Sequence, residues 1–257
     1  MCILFLSEVV DLKYIIFDLE FNQSCNKEDK VLQLPFEIIQ IGALKLDENF
    51  KTISTFNKLI KPTVYKYILP YIQELTKITD KMVSTSQNFI EVYYDFMNFI
   101  GKEDITFIIW GTVDLKELYK NILYFELPIE NLPKLYIDIQ DYASKYFKLP
   151  SGKRIGLKNA LDFLNISISD ELHDAFNDAY YTTEIFKKLY NDSIEAKTYS
   201  HNTIRIKSEP KKIIDYDGLI IQIEKMYNRK LTSEEISMIK LAYNMGKTNQ
   251  FLKPLNE

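Results

Sequence analysis

Cysteine is nearly absent: Cys2 and Cys25 are the only two among 257 residues. Neither a disulfide framework nor a cysteine-based zinc site can be assembled from them. The same scarcity predicts a reducing, cytoplasmic setting. Arginine is almost as rare, with Arg154, Arg205 and Arg229 against 29 lysines among the 32 basic residues. Contacts to anions therefore fall to lysine point charges more than to bidentate arginine forks. Seven glycines and eight prolines exclude collagen-like and low-complexity chains. There is no long apolar run: Met1–Leu6 (MCILFL) is too short to span a bilayer, no basic residue precedes it, and Glu8 and Asp11 follow. We read it as a ragged start or an edge segment, with no membrane partner. A net charge of −4 excludes a globally basic surface, so any polyanion site must be local.

What is present is an ordinary globular composition, 46% hydrophobic and 26% charged, long enough to bury a core without staples. Residues 13–21 (KYIIFDLEF) are apolar on both faces up to their carboxylates, as in a central strand. Residues 36–47 and 51–61 read as an antiparallel hairpin around Asp47-Glu48-Asn49. A short helix is expected near 71–75, and a longer one over 84–101 with Phe89, Tyr93, Phe96 and Ile100 on one stripe. Strands at 105–110 and 134–139 then alternate with helices at 115–123, 140–147, 157–164 and 175–190. This order predicts an α/β fold with a mixed five-stranded sheet flanked by helices. We expect one domain over 1–190 and a basic, polar linker over 191–216 (Arg205, Lys207, Lys211, Lys212). Accessory helices over 217–257 follow, the second opened by a capping box at Thr232–Glu235. Their apolar stripe (Ile236, Ile239, Leu241, Met245) is a candidate self-association surface.

Three clusters can carry chemistry. Asp18 and Glu20 alternate on a strand and so share a face. Burying two like charges at a strand end is costly unless a hard cation compensates; the pattern alone reads more simply as a strand that ends there with both acids in water. Asp114 follows a buried strand and opens a helix, at the edge where α/β sheets place ligands; it also reads as an acid favoured by the helix dipole. His173-Asp174-Ala175-Phe176-Asn177-Asp178-Ala179 puts a histidine five residues before an acid on a helix. That spacing does not stack the pair as i, i+4 would, leaving Asp178 to face the sheet and His173 in the loop above. By itself His173 also reads as a loop histidine with a structural hydrogen bond.

Together, Asp18-x-Glu20, Asp114 and His173-x-Ala175-x-x-Asp178, in this order and on these elements, resemble the DEDDh branch of the DnaQ-like 3′–5′ exonuclease superfamily. The resemblance covers about residues 13–190. Further matches are Glu37-Ile38-Ile39-Gln40-Ile41-Gly42-Ala43, Leu75-Thr76-Lys77-Ile78-Thr79 and Leu157-Lys158-Asn159-Ala160-Leu161. It implies a ribonuclease-H-like fold. It also implies two divalent metal ions, Mg²⁺ or Mn²⁺, held by Asp18, Glu20, Asp114 and Asp178, with His173 as general base. Formal charge supports the set, since four carboxylates and two divalent ions sum to about zero. The implied activity is metal-dependent removal of nucleoside 5′-monophosphates from the 3′ end of single-stranded RNA or DNA. The alternative is a catalytically silent nucleic-acid-binding module on the same fold.

Phe21 and Asn22 stand where many relatives carry Thr after the glutamate, while Trp110-Gly111 and Asp114-x-x-x-Leu118 look more like the ERI-1 and KapD-type subgroup, which leans the expectation toward RNA. Phe21 reads either as a stacking surface for the terminal base or as core beside Phe17 and Leu19. By the same resemblance Leu75 and Thr76 line the substrate groove, unless they simply pack. Lys153, Arg154 and Lys158 read as phosphate guides or as a solvated face.

Overall fold

The computed structural model describes residues 12–25, 31–191, 193–200 and 215–247. The apolar start (1–6) and the basic run at 205–212 lie outside the described residues. The chain divides into two compact units, Met1–Ser208 and Glu209–Glu257.

In the first unit, β1 (Lys13–Asn22) is the central strand, apolar because both of its faces are covered. β2 (Glu37–Leu46) pairs antiparallel with β1, and β3 (Thr52–Leu59) pairs antiparallel with β2. Asp47 closes their turn by accepting from the amides of Asn49 (3.0 Å) and Lys51 (2.8 Å). β4 (Ile105–Ile109) runs parallel to β1, and β5 (Leu135–Asp138) runs parallel to β4. The expected five strands are six. β6 (Lys197–Thr198) pairs antiparallel with β5, giving the order β3-β2-β1-β4-β5-β6. Two residues with exposed side chains carry no periodic signal, so the sequence placed them in a linker.

Among the described residues there are seven helices in the first unit and two in the second. α1 (Pro70–Thr76), α2 (Asp80–Val83) and α3 (Phe89–Ile100) follow the hairpin. α3 begins later than its apolar pattern predicted, because Asn88 and Glu91 form a capping box that fixes its start. Its buried Phe89, Val92, Tyr93, Phe96 and Ile100 join Phe17, Leu19 and Phe107 in one layer, together with α4 (Val113–Tyr124). Each such fully buried side chain contributes roughly 1.5–3 kcal/mol. The opposite face is covered by α5 (Ile139–Tyr146), α6 (Leu157–Phe163) and α7 (Ala175–Leu189), packed on Tyr14, Ile16, Leu44 and Ile108.

Gly42 of β2 lets α7 approach: a Cβ there would lie 2.2 Å from the carbonyl carbon of Ala175 and the nitrogen of Phe176. The start of α7 is thereby pinned to the sheet. In the second unit, α8 (Tyr216–Tyr227) is followed by α9 (Ser233–Lys247), whose capping box joins the Thr232 amide to Glu235 (2.8 Å) and the Glu235 amide to the Thr232 hydroxyl (3.3 Å). Met226, Met238 and Leu241 on these helices are exposed. No helix among the described residues is long and apolar enough to cross a membrane.

Candidate active site

Strand alternation places Asp18 and Glu20 on the α7 face of β1, since Phe17 and Leu19 occupy the α3 and α4 layer. Asp178 enters from the first turn of α7 and Asp114 from the first turn of α4. Thus two strand residues and two helix N-termini converge at the C-terminal edge of the parallel strands, where the sequence placed a ligand site. The two helix starts are held by separate brackets. At α7, Asp174 caps the helix by accepting from the amides of Phe176 and Asn177 (3.0 Å each). Buried Gln40 of β2 clamps that cap, donating to Asp174 Oδ2 (2.9 Å) and accepting from the Ala175 amide (3.1 Å). At α4, Gly111 turns the chain at φ +84°, and its amide donates to Asp138 Oδ1 (3.1 Å).

Electrostatically the cluster is under strain. Asp18 is held well above the ordinary carboxylate range, first by burial and then by Asp114, Asp178 and Glu20. Burial, with Asp178, Asp114 and Asp174, pushes Glu20 up to about 9. Burial likewise raises Asp114 to about 7, against the opposing backbone amides of Asp114 and Leu19. Asp178 is raised to about 6 by burial, against the nearby His173. Its Oδ1 is buried without a hydrogen-bond partner. His173 stands exposed in the loop at φ +66°, its amide 3.4 Å from Asp178 Oδ2. Glu20, His173 and Asp178 each offer a ligand atom, all within 4.8 Å of one another.

Two other buried acids, Glu37 and Asp138, offer a contrast, whereas buried Glu117 pairs with Lys120 through one oxygen (2.6 Å) and leaves the other unpartnered. Glu37 accepts from the amides of Thr63 (2.6 Å), Val64 (3.0 Å) and Tyr65 (2.7 Å). Asp138 accepts from Gly111 and Asp141 amides and from Arg154. Those acids are compensated by protein donors; the four at the sheet edge are held together largely against one another. Hard divalent cations take such oxygen donors, and an orphaned buried carboxylate oxygen is what a coordination position would leave. The donor set therefore fits divalent metal.

The predicted accessory residues fare differently. Phe21 packs on Phe36 (ring centroids 6.0 Å apart) and on the α3 and α4 layer, on the face opposite the acids. The Thr76 hydroxyl is engaged locally, donating to the Ile72 carbonyl (2.8 Å) and accepting from the Ile78 amide (3.1 Å). Leu75 is exposed on α1. Thr76 does line an open groove of about 740 Å³, with Gln40, Asn57, Lys77, Asp174 and Asn177 among its walls.

The sequence reading missed the second set of supporting residues. Buried Asn22, on the Asp18 and Glu20 face, donates to the carbonyls of Tyr65 (2.9 Å) and Tyr67 (3.0 Å) and accepts from the Leu69 amide (3.3 Å). With Glu37 it ties the loop before α1 to the strand carrying the acids. The available signal was a polar residue closing an apolar strand.

Residues 15–186 match the exonuclease (RNase_T) family. The chain is 30% identical over 190 residues to a PolC-type DNA polymerase III of Clostridium perfringens, covering 70% of this chain and 11% of that protein. It is 24% identical over 179 residues to the probable 3′-5′ exonuclease KapD of Bacillus subtilis, covering 69% and 84%. It is 27% identical over 180 residues to human ERI1 exoribonuclease 3, covering 66% and 52%. The chain thus spans about a tenth and about half of the first and third of these relatives. Among solved structures, the fold is similar to the nuclease domain of 3′hExo, a DEDDh family member bound to rAMP. The TM-score is 0.63 at 19% identity, over 75% of this chain and 98% of that one. Cell-death related nuclease 4 gives a TM-score of 0.61 at 18% identity, over 72% and 66%. A mixed sheet with acids converging at its parallel edge, and a family match across most of the first unit, establish that the chain belongs to the exonuclease (RNase_T) family.

Proposed function

We propose that this chain is a metal-dependent 3′–5′ exonuclease that removes nucleoside 5′-monophosphates from single-stranded nucleic acid, with RNA favoured over DNA. The observation that carries the reading is the cluster of Asp18, Glu20, Asp114 and Asp178, all pushed up by burial despite a few backbone donors, with Asp178 Oδ1 buried and unpartnered. These four acids would hold two Mg²⁺ or Mn²⁺ ions. When bound, such ions lower the pKa of water and stabilise both oxygens of an in-line displacement at phosphorus. His173, exposed beside Glu20 and Asp178, takes the proton of the attacking water as general base. Its placement in the loop rather than on α7 leaves the ring free to face solvent and substrate. Gln40 and Asp174 fix the start of α7 and so the direction of Asp178. The RNA preference rests on the likeness to ERI1 exoribonuclease 3.

The test is incubation with matched 3′-labelled RNA and DNA oligonucleotides in Mg²⁺, Mn²⁺ or EDTA. Labelled mononucleotide release in metal, abolished in EDTA and by Asp18→Ala, is expected, with RNA consumed faster. Internal fragments would instead indicate an endonuclease, and binding without cleavage by the intact chain a silent module.

A further inference from the structure

Arg154 is the one arginine of the first unit among the described residues, and it is built into the fold differently from its basic neighbours. Its Nη1 donates to Asp138 Oδ2 (2.8 Å) and to Gln140 Oε1 (3.2 Å). Asp138 is 3% exposed and Arg154's side chain 47% exposed, so a buried carboxylate holds one corner of a guanidinium whose remainder faces solvent. Gln140 is itself fixed, donating to the Ile155 carbonyl (2.9 Å). The other oxygen of Asp138 accepts from the Gly111 amide, in the turn that leads three residues later to Asp114. A Cβ built on Gly111 would lie 3.7 Å from Arg154 Nη1. The guanidinium therefore abuts the β4–α4 turn at the same sheet edge as the acids. Lys153 and Lys158, exposed on either side, have no acid partner among the described residues.

We propose that Arg154 is a preorganised anchor for a backbone phosphate of the substrate strand, one or more nucleotides from the bond cut at the Asp114 site. The assignment rests on the exonuclease reading above and deepens it. Physically, an arginine whose rotamer is already fixed loses little entropy on binding, and its planar fork keeps donors for a second anion. Asp138 and Gln140 engage Nη1 alone, and the exposed Nε and Nη2 make no hydrogen bond among the described residues. A structural salt bridge alone would not require the exposed half. The shared carboxylate also links phosphate engagement to the turn that sets Asp114.

The experiment is fluorescence anisotropy of a labelled twelve-nucleotide oligouridylate with the full chain in Ca²⁺, repeated across salt concentrations, alongside Mg²⁺-dependent nucleotide release. For Arg154→Ala the expected result is about tenfold weaker binding, with the slope of log K against log salt smaller by about 0.7, the value for one single-strand phosphate contact. Arg154→Lys should restore the slope and part of the affinity, because the charge returns without the fork. Unchanged affinity and slope in Arg154→Ala would overturn the proposal. So would weaker binding with an unchanged slope, which marks a purely structural role. An intact chain that binds with this Arg154 dependence but releases no nucleotide would sink the exonuclease reading alone; an intact chain that releases nucleotide while neither variant changes its binding would sink the anchor alone.

Discussion

Replacing Asp114 by Asn should stabilise the metal-free protein, although it removes a residue placed at the centre of the chemistry. Asp114 is 8% exposed, and burial with Asp178 beside it raises its pKa to about 7. Ionising it inside the fold above that pH costs on the order of 4 kcal/mol, at about 1.4 kcal/mol per tenfold. An acid whose folded pKa is raised binds its proton more tightly in the folded state. Stability therefore declines as pH climbs from the unfolded value near 4 and levels off above the folded one. For Asp114 that window is about 4 to 7, and for Glu20 about 4 to 9. Asparagine keeps the shape and removes the charge. In EDTA at pH 8, Asp114→Asn should melt roughly 5–10 °C higher than the parent, taking about 2–4 °C per kcal/mol and some loss to coupling among the acids. At pH 5 the gap should narrow. Adding Mg²⁺ should raise the parent's Tm with concentration, as for any ligand that binds only the folded state, and raise the variant's less. The assay is differential scanning fluorimetry over pH, with and without chelator. A variant that melts lower than the parent in EDTA at pH 8, or a parent whose Tm in EDTA rises between pH 5 and 9, would refute the electrostatic reasoning.

His173→Ala should slow nucleotide release by about 10² or more while weakening Mn²⁺ binding, read by calorimetry, less than tenfold; loss of metal binding would make His173 a ligand instead. Asp178→Ala should impair both readouts. Gly42→Ala drives a Cβ into the backbone of α7 at 2.2 Å, so it should lower Tm by several degrees and abolish release together; an active variant of parental Tm would show that the helix start tolerates displacement. Asn22→Ala removes three hydrogen bonds to the loop before α1, costing about 1–3 kcal/mol for the buried groups left unpaired, and faster amide exchange at Leu69 is the check. The stripe of Ile236, Ile239, Leu241 and Met245, with Leu241 exposed and the other three half-buried, is our proposed self-association surface: sedimentation should show an oligomer, returned to monomer by Leu241→Glu.

Much of the fold was legible because it depends on burial periodicity. β1 and β2 carry runs of apolar residues on both faces, and α3 repeats its large residues at helical spacing. Helix starts were less legible, since they are set by side-chain caps rather than by the stripe. Asn88 overrode the apolar-pattern start of α3 for that reason. β6 was invisible because two residues with exposed side chains owe their conformation to β5, a long-range partner. The four candidate acids stood out because they lie at the end of a buried strand and at helix starts, and His173 because it precedes one of those starts. Their supports could not. Gln40, Asn22 and Asp138 look like ordinary polar residues until the loops that they hold are brought beside them.

Concentrating four acids at one edge is tolerable only where no backbone can yield to separate them. β1 is central, paired on both sides, and its apolar residues are locked in the two layers. The two helix starts that bring Asp114 and Asp178 are each tied to the sheet by a fully engaged polar side chain, Asp138 and Gln40. Relaxing the repulsion would require breaking one of these brackets and stranding a buried donor or acceptor, a penalty comparable to the repulsion relieved. The cheaper response is to take up protons, which is the direction in which all four acids are pushed. A metal ion competes with those protons for the same oxygens, so binding must release them. Metal affinity measured in the resting protein should therefore rise between pH 6 and 9, by roughly tenfold per pH unit for each proton displaced. Calorimetry in buffers of differing ionisation enthalpy counts those protons directly, and a proton count of zero at pH 7 would mean that the acids are already ionised and that the fold, not the cation, carries the cost of their charge.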